Sequence, residues 1–208
     1  ITAKQPAGRT STAQRNLFMG PTVDGSAPGQ AVTTATDCVG IGARAMSSAT
    51  DLIQATCVGS EAGLLLNTGS YCTLVGSYAG ANLTGGQGNS FFGSSAGGGL
   101  NNVNQTTIVG QNACPSGENV TACTIVGQGA IGLNLAPGVQ GINGVTAVGC
   151  TSAAHLTTGT GTFIGQDAGY NLTSGSGTFV GKSAGAAVTT GVRNVLIGAN
   201  SASTLTNC

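Results

Sequence analysis

Thr162-Phe163-Ile164-Gly165-Gln166-Asp167-Ala168-Gly169 and Thr178-Phe179-Val180-Gly181-Lys182-Ser183-Ala184-Gly185 are two copies of one phrase. It reads threonine, two apolar residues, glycine, two variable residues, alanine, glycine. Its central glycine anchors a series at Gly42, Gly59, Gly76, Gly93, Gly110, Gly127, Gly149, Gly165, Gly181 and Gly198. Most steps in the series are of 17, two are of 16, and the step from Gly127 to Gly149 is of 22. A fixed period of about 20 residues is the mark of a solenoid.

Around each anchor the register holds. One place before it stand Ile41, Val58, Val75, Phe92, Val109, Val126, Val148, Ile164, Val180 and Ile197, all apolar. Three places after it stand Ala45, Ala62, Ala79, Ala96, Ala113, Ala130, Ser152, Ala168, Ala184 and Ser201, all small. Seven places after it, in seven of the ten turns, stand Leu66, Leu83, Leu100, Leu156, Leu172, Val188 and Leu205. These columns read as an interior ladder of one large, one small and one large side chain per turn. The glycine marks a bend or a close backbone approach.

Thr, Phe, Ile and Val around the anchor favour extended backbone, and Asn171-Leu172-Thr173-Ser174-Gly175-Ser176-Gly177 is turn chemistry. The expected fold is all-β, a β-solenoid (β-roll or β-helix) of about ten turns with a mainly 17-residue repeat. Successive turns pair as parallel strands about 4.8 Å apart, giving a rod of about 50 Å. Ten register-true copies speak against a β-sandwich with a chance motif. The extra residues around 132–138 should bulge from one face.

Residues 1–35 read differently. Lys4, Arg9, Arg15, Pro6, Pro21 and Pro28 fall here and alternation is poor. The segment is expected to be an arm, linker or end cap, with 36–208 the repeat domain. Leu17-Phe18-Met19-Gly20 resembles a degenerate first repeat, with Gly20 preceding Gly42 by the same long step that separates Gly127 from Gly149. A start at Ile1 without a signal-like segment fits a processed form or a fragment.

Charged residues are 6 % of the 208 and the net charge is zero. No basic face exists for a phosphate backbone, so nucleic acid is not an expected partner. No apolar run is long enough for a bilayer, so no membrane span is expected. Large side chains are scarce, which allows a narrow stacked core but not a thick one.

The cysteines are Cys38, Cys57, Cys72, Cys114, Cys123, Cys150 and Cys208. None forms a Cys-x-x-Cys pair, which speaks against zinc. Seven in a short chain point to an oxidising, extracellular setting and to disulfides. The best local pair is Cys114 with Cys123, flanking the turn-rich Pro115-Ser116-Gly117-Glu118-Asn119; buried free thiols are the competing reading. Sequons at Asn82, Asn104, Asn119 and Asn171 are candidate glycosylation sites.

Phrases such as Thr-Phe-Ile-Gly-Gln-Asp-Ala-Gly at 162–169 and Thr-Leu-Val-Gly-Ser-Tyr-Ala-Gly at 73–80 resemble the repeats of YadA-type trimeric adhesin heads, and of Gly-rich phage and giant-virus fibre proteins. The likeness covers about residues 36–205. It implies a left-handed β-roll, three chains packed together and a non-enzymatic attachment role. The chain departs from the adhesin heads in its 17-residue period and in its cysteines.

Apparent catalytic motifs dissolve into the repeat. Gly93-Ser94-Ser95-Ala96-Gly97 and Gly181-Lys182-Ser183-Ala184-Gly185 fit the hydrolase elbow Gly-x-Ser-x-Gly. Sister turns hold Glu61, Tyr78 and Asp167 in that serine slot, and His155 is the only histidine. Gly127-Gln128-Gly129-Ala130-Ile131-Gly132 has neither the later acid nor the helix of a dinucleotide site. Position 176 is serine where a P-loop ending at Gly181-Lys182-Ser183 needs glycine. Glu61 and Asp167 share a register position six turns apart, too far for a glycosidase pair. Asp37 and Asp51 are the only acids whose approach is conceivable.

The sequence thus leads to a non-enzymatic extracellular fibre or adhesin subunit without cofactor. It would self-assemble as an end-to-end filament or a parallel trimer and meet a cell-surface glycan or receptor. The rival classes are an ice-binding solenoid and a carbohydrate-active fibre protein. The first uses the hydroxyl column Thr56, Thr73, Ser90, Thr107, Thr124, Thr146, Thr162 and Thr178.

Overall fold

The structure, a computed structural model, describes residues 15–117, 120–132 and 142–206. Each anchor glycine ends a short strand, because the β-branched residues before it favour extended backbone. The strands are β1 (Leu17–Met19), β2 (Val39–Ile41), β3 (Thr56–Val58), β4 (Thr73–Val75), β5 (Ser90–Phe92), β6 (Gly99–Leu100), β7 (Thr107–Val109), β8 (Ser116–Gly117), β9 (Thr124–Val126), β10 (Ile142–Val148), β11 (Thr158–Ile164), β12 (Ser174–Val180) and β13 (Thr190–Ile197). Eleven of them stack in chain order as one parallel sheet, with β6 and β8 forming a separate pair. The described residues contain no helix, so none is long and apolar enough to cross a membrane. The molecule is a β-solenoid whose rungs recur at the period of the anchor glycines.

The sheet register aligns the repeat with itself: Thr56 pairs with Thr73, Cys57 with Leu74, Val58 with Val75. Backbone bonds also run between coils on the opposite wall, as in Gly63 N–H to Ala79 O at 2.9 Å and Leu65 N–H to Ala81 O at 3.0 Å. A third corner is tied by side chains, with the Thr157 hydroxyl donating to Thr173 O and the Thr173 hydroxyl to Thr189 O.

Two of the three expected interior columns are inside. The alanine column is buried from Ala45 to Ala184, and the leucine column is buried except at Leu205 in the last coil. The third is outside. Ile41, Phe92, Val109 and Ile164 are 36–40 % exposed, and Val58, Val75, Val126, Val148 and Val180 are half-buried on the same face. The interior position is one place earlier: Cys57, Leu74, Phe91, Ile108, Ile125, Ala147, Phe163 and Phe179 are fully buried. The reason is the strand's period of two. The residue before the glycine shares parity with the outward threonine, and only the residue between them points in.

In several coils the interior accommodates such varied residues by compensation across the core. Six places beyond each of these inward strand residues, the chain turns back beneath it. A Cβ on Gly63 would meet Cys57 Sγ at 2.7 Å, one on Gly97 would meet Phe91 at 2.6 Å, and one on Gly185 would meet Phe179 at 2.8 Å. Where the strand residue is Gly40, the opposing residue is the fully buried Met46, whose sulfur lies 3.3 Å from a Cβ placed on Gly40. Phe163 and Phe179 stack with centroids 5.3 Å apart.

The difference between the longer and the shorter coils is one bulge. Five places before the anchor, Asp37, Gln54, Tyr71, Gln105, Ala122 and Arg193 are non-glycine residues with φ of 53° to 63°. This added residue shifts the register where β12 meets β13, between Gly175 and Gly177. In the shorter coils the strands β11 and β12 run straight, pairing without interruption from Thr158 with Ser174 to Ile164 with Val180.

The described part of the N-terminal segment is built into the coil. β1 pairs in register with β2, Leu17 with Val39 and Met19 with Ile41. Arg15 makes a bidentate ion pair with Asp37, at 2.7 and 2.9 Å, clamping the first two rungs. The solenoid therefore starts before residue 35, and the degenerate phrase at 17–20 is a true rung. The insertion expected at 132–138 falls, beyond Gly132, outside the described residues.

The expected disulfides are absent among the described residues. Cys38, Cys57, Cys72, Cys114 and Cys123 are buried free thiols and Cys150 is an exposed one; Cys208 lies outside the described residues. The lattice of the solenoid keeps them apart. Cys57 is two places along the strand and one rung from both Cys38 and Cys72, about 8 Å between Cα atoms, beyond the reach of about 7 Å for a bridge. Cys38, Cys72 and Cys123 share one inward column but are two and three rungs apart. Cys114 and Cys123, the best local pair in the sequence, are likewise both free and buried.

Candidate functional site

The largest repetitive surface is the outer wall of the eleven-stranded sheet. Two rows run along it. One carries the residues before the anchors, from Met19 to Ile197. The other carries the hydroxyl column from Thr56 to Thr178, flanked by Leu17 and Val39 at one end and Val195 at the other. No charged residue occurs in either row over eleven rungs. The strand triads stay in register throughout, because both sheet irregularities fall before the triads. The rows are thus continuous and in register, with a pitch of about 4.8 Å along the rod and about 6.6 Å between them.

The anchor column fixes this wall. Gly59 has φ of 136°, and a Cβ there would stand 2.4 Å from the carbonyl oxygen of Gly76. The same approach recurs from Gly42 to Gly181, so each of those anchors serves as the expected bend and close contact. Gly198, in the last rung, keeps a φ of 115° but meets nothing within 4 Å.

Two residues past each anchor, a left-handed residue projects outward. Glu61, Tyr78, Ser95, Asp167 and Ser183 occupy this slot with φ of 55° to 61°. Ser95 and Ser183 therefore sit on a repeated corner, not on a strand-to-helix elbow. Arg44 and Glu61 make an ion pair in this column at 3.0 Å, and Thr151 donates its hydroxyl to Asp167. Thr151, Asp167, Tyr170, Asn171, Ser183 and Ala186 line an open groove of about 440 Å³. His155 packs edge-on against Tyr170, with centroids 4.7 Å apart, and its Nδ1 lies 2.9 Å from Tyr170 O. Asp37 is engaged with Arg15, and Glu61 and Asp167 stand six rungs apart.

Among the sequons, Asn82, Asn104 and Asn171 are exposed. Asn104 Oδ1 accepts a hydrogen bond from Gln87 N–H at 2.9 Å and Asn171 Nδ2 donates to Ala186 O at 2.8 Å, so both amides already help to tie coils together. Asn119 lies outside the described residues.

The buried thiols are poor nucleophiles. Burial pushes Cys38, Cys57, Cys72 and Cys123 above the ordinary thiol range, and pushes Cys114 up to about 12. A reactive cysteine needs the opposite shift. Among the described residues no three His, Cys, Asp or Glu side chains cluster as metal ligands would.

Sequence reasoning missed the outward apolar row and the Tyr170 groove. The signal for the row was present: an outward threonine two places earlier dictates it. No sequence signal marks the groove, whose walls come from three different coils. In comparisons with known proteins the chain matches no family model, no curated protein and no solved structure.

Proposed function

We propose that the chain is a non-enzymatic structural rod, a subunit of a self-assembling extracellular fibre or adhesin that attaches to a surface glycan or receptor. One observation carries this reading: a continuous, in-register wall of uncharged apolar and threonine rows runs over all eleven rungs of the sheet. A wall of that length suits repetitive contact far better than it suits one small substrate. The rigid stack beneath it, with backbone bonds on two walls, suits mechanical reach. The resemblance to adhesin-head and fibre repeats points the same way. The groove beside Asp167, Tyr170 and Asn171 offers hydrogen-bonding groups for a surface ligand. Negative-stain imaging and sedimentation of the purified chain test the proposal. Associated rods support it; dispersed single rods at every attainable concentration overturn self-assembly.

A second reading, ice binding, is favoured by the outward placement of Thr56 to Thr178 in straight register beside a regular apolar row. Thermal hysteresis of the purified chain, lost on replacing Thr107 and Thr124 with lysine, distinguishes it.

A further inference from the structure

We infer that the outer wall pairs with the same wall of a second copy, the two rods lying face to face and antiparallel. This rests on the fibre reading and adds the face and the orientation of the contact.

The first argument is area. Eleven rungs at about 4.8 Å, with two rows and their margins about 13 Å wide, give a wall of about 700 Å². Stable interfaces bury about 800 Å² per partner, so the wall nearly suffices alone. The second is charge. Neither row contains an ionised group, so apposing the rows themselves brings no charge against another; the column bordering the threonine row carries Arg15, Asp37 and Arg193. The third is pitch. A second copy repeats the same rung spacing, so each rung of one wall meets a rung of the other along the whole contact.

Orientation follows from symmetry. A twofold axis in the contact plane and perpendicular to the rods lays apolar row on apolar row and threonine row on threonine row. A twofold along the rods, centred on the wall, lays the apolar row on the threonines. The antiparallel arrangement also evens out side-chain size. Val109 belongs to the sixth of the eleven strands and lies on the axis. Phe92 then faces Val126, Ile164 faces Val58, and Ile41 faces Val180. In these three pairs the bulky member meets a valine, while at the two ends Met19 faces Ile197.

The test uses the full chain carrying Cys150→Ser and Cys208→Ser, which removes the one exposed thiol among the described residues and the cysteine outside them. Phe92→Cys and Val126→Cys variants are oxidised separately and mixed, then run on non-reducing gels. The mixture should give a disulfide-linked dimer at least tenfold above either variant alone. Equal bridging by Phe92→Cys alone, or no bridge in the mixture above the control carrying only Cys150→Ser and Cys208→Ser, overturns the pairing. In parallel, Val109→Arg should convert a sedimenting dimer into monomers while the far-ultraviolet circular dichroism stays unchanged. Assemblies that persist in Val109→Arg and give no mixed bridge overturn the pairing but leave the fibre reading standing. Monomers under every condition overturn both.

Discussion

Gly59 stands so close to Gly76 in the next coil that a Cβ on it would lie 2.4 Å from the Gly76 carbonyl oxygen. Backbone there cannot yield without breaking the ladder, and φ of 136° is itself closed to side chains. Gly59→Ala should therefore destabilise by about 3 kcal/mol or more. Gly198→Ala meets no neighbour within 4 Å, so only the strain of its φ of 115° remains. Urea titration of both variants checks the contrast; equal midpoints would contradict the stacked anchors.

Phe163 and Ile164 are sequence neighbours on opposite sides of the wall, the first fully buried and the second 40 % exposed. Phe163→Ala should cost about 3–5 kcal/mol, because it opens a cavity beside Phe179. Ile164→Ala should cost about 1 kcal/mol or less in the monomer. Reversal of that order in thermal or denaturant unfolding would invert the assigned parity.

Two buried polar residues predict opposite signs. The Asn89 amide donates to Val103 O at 2.6 Å and accepts from Thr106 N–H at 3.2 Å inside the core. Asn89→Ala leaves both backbone groups unsatisfied and should cost about 2 kcal/mol or more. Ser152 occupies the small interior column, and its buried hydroxyl has no partner. Ser152→Ala, matching most sister coils, should raise stability by about 1 kcal/mol. Calorimetry of the two variants decides both.

Alkaline stability should follow the buried thiols. In the folded state Cys114 holds its proton up to about pH 12, against an ordinary value of 9.0. As pH rises past about 9, the unfolded chain ionises first and is favoured. The contribution is thus fully present below pH 9 and is lost as pH rises through about 12. The melting temperature should be flat near neutral pH and fall across this window. Cys114→Gly, which also suits the local φ of 44°, should make that fall shallower; an unchanged slope would exclude Cys114 as its source.

Deleting Arg193 should be tolerated. It holds the left-handed bulge of the last long coil, with φ of 63°. Without it, β13 should pair with β12 as straight as β12 pairs with β11. The expected loss is about 1 kcal/mol or less, read from the shift in melting temperature. A collapse of cooperative unfolding would show that the bulge is required.

The legible part of the fold was the part constrained by close approach. Gly59 and Ala62 tolerate nothing larger, so their columns are uniform and could be read directly. The inward strand column was illegible for the opposite reason. Gly40, Leu74 and Phe91 vary because their coils trade volume between that position and Met46, Gly80 and Gly97 across the core, a trade that Ala147 with Ala153 and Ile125 with Ile131 do not follow. Uniformity of Val58, Val75, Val109 and Val126 then suggested burial, though what they share is β-propensity on an outer wall. The cysteines misled similarly, since composition says nothing about which wall each thiol projects from.

By itself the sequence determined that this chain coils, and roughly how often. A nearly constant period forces equivalent positions to stack, and glycine and alanine at fixed places leave one close-packed way to do so. Only the tertiary structure decided which side of the wall each apolar row faces, where β1 joins the stack, and which residues from separate coils meet beside Asp167. Those are relations between strands rather than along one, set by hydrogen-bond register and by volume shared across the core.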